Sequence, residues 1–215
     1  MSKFDGSKVN LSSASCVGSN IYNDRYSLTI PLVNNKNEDK NEDKTVIVIM
    51  KNPASTARQN VFYKVGFSNI TDVDKTTTKL INYLFSLNRY KTIITVNLFP
   101  YYSANPQDLN AIYGISTKKR YQINKSTSYQ NNMAEIERIF AANANANVDV
   151  ICAWGNKSNM SKVILDNAIQ DIITMINNYF NKNVYQFTKS GRNVYLTTIP
   201  LPITNIFYPL HPSKI

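Results

Sequence analysis

The sequence predicts a single α/β domain, a three-layer α/β/α sandwich whose central sheet is mostly parallel. Three observations lead to this fold class. First, 215 residues with 43% hydrophobic content suffice for one domain with a sizeable core. Second, continuous β-branched runs such as Thr45–Met50 are typical of strands buried on both faces. Third, these runs alternate with segments of helical periodicity, which indicates parallel strands joined by helices.

Each element has its own signal. Residues 1–24 show no regular pattern and are predicted to be an irregular N-terminal segment, ahead of a single α/β domain over residues 25–215. Alternation or β-branched runs predict strands over residues 26–33, 45–50, 91–98, 148–154, 184–188 and 194–199. Aliphatic residues on one face predict helices over residues 73–87, 129–143 and 162–180. Residues 34–44 repeat NEDK and are predicted to be a solvated loop, and four prolines exclude regular structure from the last sixteen residues.

Composition excludes several classes of protein. No apolar run reaches the roughly 18–20 residues that cross a bilayer, and the N-terminus lacks the apolar core of a secretory signal. The two cysteines, Cys16 and Cys152, are too few for a disulfide framework and lack metal-ligand spacing. Cys152 lies in an apolar run and is predicted to be buried in the core. We therefore expect a cytoplasmic protein without a cofactor or a metal.

The net charge of +10 is unevenly distributed. Residues 1–50 carry six basic and six acidic side chains, whereas residues 51–215 carry 18 basic and 8 acidic ones. A positive field of this kind attracts polyanions such as nucleic acid. Only Lys118, Lys119 and Arg120 form a tight basic cluster, and the charge could equally serve solubility alone.

The loops that follow the predicted strands hold the candidate contacts, because ligands of parallel sheets bind beyond the carboxyl ends of the strands. The candidates in these loops and in the C-terminal tail are Lys51, Asn52, Ser55, Thr56, Asn97, Trp154 and His211. Each has an ordinary structural alternative as well, since Asn-Pro forms turns, Ser and Thr cap helices, a Trp packs in cores and a lone His sits in turns. Signatures of a P-loop, a dinucleotide site, a serine elbow or a cysteine–histidine pair are absent from the sequence.

Several short motifs occur together in a recognisable order. They are Arg25-Tyr26, Asn52-Pro53 with Ser55-Thr56, Asn97-Leu98-Phe99, Asn105-Pro106, Ala153-Trp154-Gly155 and Thr188-Lys189-Ser190-Gly191. Over residues 25–212 this order resembles the bacterial and phage family called domain of unknown function 1643. That family usually places a His-Pro soon after the Ser-Gly turn, whereas about twenty residues intervene here before His211-Pro212.

A second resemblance concerns the layout of the loops. It is similar to the uracil-DNA glycosylase superfamily, and residues 49–53 resemble its mismatch-specific branch, although Lys51 and Ala54 stand where glycines usually flank the Asn-Pro. The resemblance implies a glycosylase-like fold and a base extruded into a pocket. It also implies that Asn52 positions a water, that Asn97 reads the base edge, and that His211 donates a hydrogen bond to the departing base or to its neighbouring phosphate.

The remaining site residues follow from the same resemblance and from charge. Phe62 or Tyr63 would stack on the base, and Ser55, Thr56 and Trp154 are further candidates for base or nucleotide contact. Ser213 would contact the DNA backbone. Basic candidates for the nucleic-acid backbone are Lys51, Lys118, Lys119, Arg120 and Lys189.

These observations lead to one hypothesis and two alternatives. The hypothesis is a protein that recognises a base or nucleotide of DNA or other nucleic acid and cleaves an N-glycosidic bond. The first alternative is a non-catalytic module that binds nucleic acid or a nucleotide at the same pocket. The second is a phage or host-defence interaction protein whose basic face meets a protein partner.

Overall fold

The computed structural model describes residues 6–10, 13–19, 24–33, 44–53, 74–101, 119–156 and 160–215, and the side chains of residues 119–126 lie outside that description. Seven strands and three α-helices are found in this part of the chain. The strands are β1 (Ser15–Ser19), β2 (Asp24–Pro31), β3 (Thr45–Met50), β4 (Thr92–Asn97), β5 (Val148–Cys152), β6 (Val184–Ser190) and β7 (Asn193–Thr198). The helices are α1 (Lys75–Ser86), α2 (Lys119–Asn143) and α3 (Lys162–Tyr179).

The strands form one mixed sheet in the order β1-β2-β4-β3-β5-β6-β7. The four strands β4, β3, β5 and β6 run parallel, whereas β1, β2 and β7 are joined by antiparallel pairings. Of the six pairings among the described strands, three are parallel and three antiparallel, so the prediction of a mostly parallel sheet is not confirmed. The reason is visible at β6 and β7, where only Gly191 and Arg192 separate the strands, and a connection this short permits only an antiparallel pair.

The N-terminal segment is more regular than the sequence predicts. Residues 15–19 form β1, which pairs with β2, and Val9 bridges to Leu32. The prediction of an irregular segment over residues 1–24 is therefore wrong for these residues. Their sequence, SCVGS, carries little β propensity, and the strand is held by its backbone pairing at the sheet edge.

Helices cover both faces of the sheet. Ile47 and Ile49 of β3 pack in one hydrophobic cluster with residues of α2 and α3. Val46 and Val48, which point to the opposite face because side chains alternate along a strand, pack in a second cluster with residues of α1. Cys152 is fully buried, as predicted.

The predicted helices are all present, with one difference in length. Helix α1 begins after Asp74, whose carboxylate accepts hydrogen bonds from the backbone N–H groups of Thr76 and Thr77 at 2.9 and 3.0 Å and so caps the helix. Helix α2 begins at Lys119, ten residues before the predicted start at residue 129. Residues 119–128 (KRYQINKSTS) contain too few apolar side chains to show the periodicity on which the prediction depended.

The C-terminal tail lies against α1. Lys79 of that helix donates hydrogen bonds to the carbonyl oxygens of Ser213 and Ile215 at 2.8 and 3.0 Å. Apart from a short 3₁₀ turn at Pro212–Lys214, residues 199–215 form no helix or strand, as their prolines predict. None of the helices in the described part of the chain is both long enough and apolar enough to cross a membrane.

Candidate functional site

The loops at the carboxyl ends of β3, β4 and β5 meet at one edge of the sheet, as the sequence predicts. The backbone N–H of Leu98 donates to the carbonyl of Met50 at 2.8 Å, and that of Phe99 donates to the carbonyl of Lys51 at 2.9 Å. On the other side of β3, the N–H of Ala153 donates to the carbonyl of Ile49 at 2.9 Å. These bonds hold Lys51 between the loop that follows β4 and the loop that follows β5.

Lys51 is a buried cation at the centre of this edge. Only 5% of the residue is exposed, and its Nζ donates a hydrogen bond to the backbone carbonyl of Asn156. Burial lowers the pKa of this ammonium to about 8, because the charged form loses its hydration. Lys51 makes no ion pair with a carboxylate among the described residues.

His211 reaches the same edge from the C-terminal tail. It packs against Gly155, which has a φ of 72°, and a Cβ added at that glycine would lie 2.8 Å from the Cβ of His211. A side chain at residue 155 would therefore displace the histidine. Gly155 is the neighbour of Asn156, to which Lys51 is bonded, so Lys51 and His211 are positioned by consecutive residues of one loop.

The hydrogen bonds of His211 determine its tautomer. Its Nδ1 accepts from the backbone N–H of Ser213 at 3.2 Å and lies 2.9 Å from the Ser213 hydroxyl, so the proton of the neutral ring is on Nε2. Burial lowers the pKa of His211 to about 4, and the positive charge of Lys51 acts in the same direction. At neutral pH the ring is therefore an uncharged hydrogen-bond donor through Nε2.

The two candidate amides differ in burial. Asn52 is partly buried, and its Nδ2 donates to the carbonyl of Pro53 at 3.0 Å. Asn97, in register with Met50, is fully buried, and its Nδ2 lies 3.4 Å from the carbonyl of Arg25. No group in the described part of the chain donates a hydrogen bond to Asn97 Oδ1. Such an unsatisfied acceptor is rare in native interiors and calls for a partner.

Two sets of polar residues that sequence reasoning missed surround these amides. The first is an ion pair between the buried residues Arg25 and Asp74, with Nη1 and Oδ2 3.9 Å apart. The second lies on α2, where the Asn132 amide donates to the Asn97 carbonyl at 2.8 Å and Ser128 donates to Asp24 at 2.5 Å. Burial raises the pKa of Asp24 to about 6. Ser128 and Asn132 are four residues apart in the sequence, and this spacing indicates a polar stripe on one face of a helix.

The other predicted contacts are placed as follows. Trp154 is fully buried, packs on Phe207 with ring centroids 5.1 Å apart and donates from Nε1 to its carbonyl at 3.0 Å, an arrangement that favours the packing role. Ser213 lies beside His211, and Lys189 is exposed near the β6–β7 turn. Lys119 and Arg120 are in the first turn of α2, but their side chains are not among those described. Residues outside the description altogether are Ser55, Thr56, Phe62, Tyr63 and Lys118.

No cluster of His, Cys, Asp or Glu that could hold a metal occurs within the described ranges. The arrangement instead offers one cation, one neutral imidazole donor and an unpaired amide oxygen at the ends of parallel strands. Such groups can recognise a ligand that carries both an anionic group and hydrogen-bond donors.

Comparison with known families adds an assignment. A family model described as "Protein of unknown function (DUF1643)" matches residues 25–195. The match includes Lys51, Asn52, Asn97 and Gly155, and it ends before His211. Comparisons with curated proteins and with solved structures give no match. Because the matched segment is most of the chain, the protein belongs to the DUF1643 family.

Proposed function

We propose that this protein recognises a nucleobase of nucleic acid at the carboxyl ends of β3, β4 and β5, and hydrolyses the N-glycosidic bond of that nucleotide. The observation that carries the proposal is the meeting of Asn52, Asn97 and His211 at one edge of the sheet. The layout of the loops also resembles the uracil-DNA glycosylase superfamily. The proposal includes a three-layer α/β/α sandwich of that type, which the helices on both faces of the sheet support.

Asn97 would read the edge of the base. Its Oδ1 is buried without a donor from the described residues, and a base N–H or amino group would satisfy it. A buried acceptor without a partner costs about 1–3 kcal/mol. A base that supplies a donor would recover this free energy, whereas a base that presents an acceptor would not, so Asn97 would select among bases.

His211 would stabilise the departing base. Hydrolysis attaches the water oxygen to C1′ and breaks the C1′–N bond. The electron pair of that bond moves to the base, and the proton that the water loses ends on the released base. A neutral imidazole whose Nε2 carries the proton can donate a hydrogen bond to a base carbonyl as negative charge develops on it. Asn52, beside Lys51 at the end of β3, would hold the attacking water through its amide.

One observation favours binding without hydrolysis. Asp74, a carboxylate whose charge acts on His211, already caps α1 and faces Arg25, so it is poorly placed to accept a proton from water. Under this second candidate function, the same residues form a nucleic-acid or nucleotide binding site. The basic candidates Lys119, Arg120 and Lys189 would then add affinity that weakens with salt.

Single-turnover base release separates the two functions. Wild-type protein in excess would be incubated with single- and double-stranded oligonucleotides containing uracil, mismatched thymine, hypoxanthine or hydroxymethylated pyrimidines. We expect release by the wild type, loss of at least tenfold in Asn52→Ala, and no change in the matched control Asn178→Ala on the exposed face of α3. Binding without release of any base would overturn the hydrolytic function, and equal release by Asn52→Ala would overturn the role of Asn52.

A further inference from the structure

The described part of the chain contains two buried basic residues, Arg25 and Lys51, and their surroundings differ. Arg25 faces the carboxylate of Asp74. Lys51 faces a backbone carbonyl, which carries only a partial charge, and within the described ranges no carboxylate pairs with it. A buried charge is costly unless it is paired, so the surroundings of Lys51 are incomplete without an anion.

A second donor lies beside this cation. His211 and Lys51 are positioned by the consecutive residues Gly155 and Asn156, and the proton of the neutral His211 ring is on Nε2 because Nδ1 accepts from Ser213. Within the described part of the chain, no group accepts a hydrogen bond from Nε2 of His211. Lys51, Arg25 and Asp74 together carry a net charge of +1, since Asp74 offsets one of the two cations.

We infer that Lys51 and His211 form a binding site for a phosphate group, so that the ligand at this edge is a nucleotide held by its phosphate as well as by its base. Phosphate oxygens are strong acceptors that suit an ammonium and an imidazole N–H together. This inference rests on the proposed function for its account of the base, which Asn97 reads, and it assigns the Nε2 proton of His211 to the phosphate instead of to the base carbonyl. The phosphate is either a terminal monoester or a phosphodiester within a nucleic-acid chain.

Inorganic phosphate is the simplest probe of this site. Its affinity would be measured by ³¹P line broadening and isothermal titration on the full chain. We expect Lys51→Met to weaken phosphate binding at least tenfold and Lys51→Arg to retain most of it, because the charge remains. Lys182→Met, which removes an exposed lysine between α3 and β6, is the matched control and should leave the affinity unchanged. Equal affinity in the wild type and Lys51→Met, or no binding to the wild type at millimolar phosphate, would overturn the inference.

Nucleoside and nucleotide titrations separate this inference from the proposed function. Deoxynucleosides, their 5′-monophosphates and the corresponding dinucleotides would be compared on wild type and Lys51→Met. If nucleosides bind as tightly as nucleotides and Lys51→Met changes neither, the phosphate site is wrong while base recognition stands. If inorganic phosphate binds as tightly as any nucleotide, base recognition is wrong while the phosphate site stands. Tighter binding of dinucleotides than of monophosphates would assign the site to a phosphodiester.

Discussion

The two ends of the parallel strands contrast in how their buried polar groups are paired. At the amino end, the fully buried carboxylate of Asp149 is 2.8 Å from Lys44 Nζ, 3.2 Å from Arg89 Nη2 and 2.7 Å from the Tyr90 hydroxyl. Arg89 also stacks on the rings of Tyr90 and Tyr185, at 4.9 and 5.6 Å from their centroids. At the carboxyl end, Lys51 is buried without a carboxylate partner among the described residues, and Asn97 Oδ1 is buried without a donor.

This difference separates a structural role from a functional one. A buried charge that is surrounded by partners contributes to a defined fold, and its loss leaves those partners unpaired. A buried group without partners costs stability, and proteins tend to keep such groups where a ligand supplies the missing interaction. We therefore propose that the amino end serves stability and the carboxyl end serves recognition.

Asp149→Ala should give the largest effect on stability. The substitution leaves Lys44, Arg89 and Tyr90 around a site without its carboxylate, and breaking a buried pair in this way typically costs about 3–5 kcal/mol. Urea unfolding would measure the loss. The control is Asp171→Ala, since this exposed residue of α3 accepts only a surface hydrogen bond from Tyr129. A loss below about 1 kcal/mol in Asp149→Ala would contradict the structural role of the amino end.

Lys51→Met should instead raise the free energy of unfolding at neutral pH. Folding lowers the pKa of Lys51 to about 8. Lowering a pKa by one costs the charged folded protein about 1.4 kcal/mol of stability. Removing the charge should therefore stabilise the protein by about 1–3 kcal/mol. The advantage should shrink as the pH rises from 8 to 10.5, because the unfolded chain still binds the proton that the folded lysine has lost. Urea unfolding at pH 7 and pH 10 would test both statements. A less stable Lys51→Met at pH 7 would show that Lys51 is a structural residue.

Sequence patterns predicted the core of the fold and the edge of the sheet where the candidate residues meet, but not the electrostatics of that edge. The β-branched run of β3 and the aliphatic face of α3 appear because burial selects apolar side chains at fixed periods. The loops after parallel strands follow from topology, which is why Asn52 and Asn97 could be named as candidates. Strand β1 was missed, since it is held by backbone pairing with β2 rather than by a side-chain pattern.

The burial of polar side chains and the identity of their partners could not be predicted from the sequence either. Lys51 precedes an Asn-Pro pair and has the sequence context of an exposed loop residue, but tertiary contacts bury it. No local pattern shows that Asp74 would face Arg25 or that Ser213 would determine the tautomer of His211. In contrast, Asp149 lies inside the apolar run of β5, and a single charge in such a run does predict a buried ion pair.

His211 should make the stability of the protein sensitive to acid, and this effect should be smaller than those of Asp149→Ala and Lys51→Met. Its folded pKa of about 4 lies below the ordinary value of 6.5, through burial and the charges of Lys51 and Lys214, and Asp74 opposes them. As the pH falls, the unfolded chain therefore binds a proton at a higher pH than the folded protein does. Stability is lost as the pH falls from 6.5 towards 4.

Because His211 remains partly exposed, we expect it to account for about 1 kcal/mol of this loss. His211→Asn, whose amide oxygen can still accept from the Ser213 N–H, should reduce the loss by that amount. Urea unfolding at pH 7 and pH 4.5 would measure it. An identical pH dependence in the variant and the wild type would show that His211 does not titrate in this range.

Amide hydrogen exchange with and without bound nucleic acid tests the contrast between the two ends most directly. The ligand would be whichever oligonucleotide of the base-release series binds most tightly. We predict slower exchange at the carboxyl end, in residues 50–52, 97–99, 153–156 and 211–214, and unchanged exchange at the amino end, in residues 89–92 and 148–150. Protection confined to the amino end, or to the exposed β6–β7 turn, would contradict the assignment of the carboxyl end to recognition.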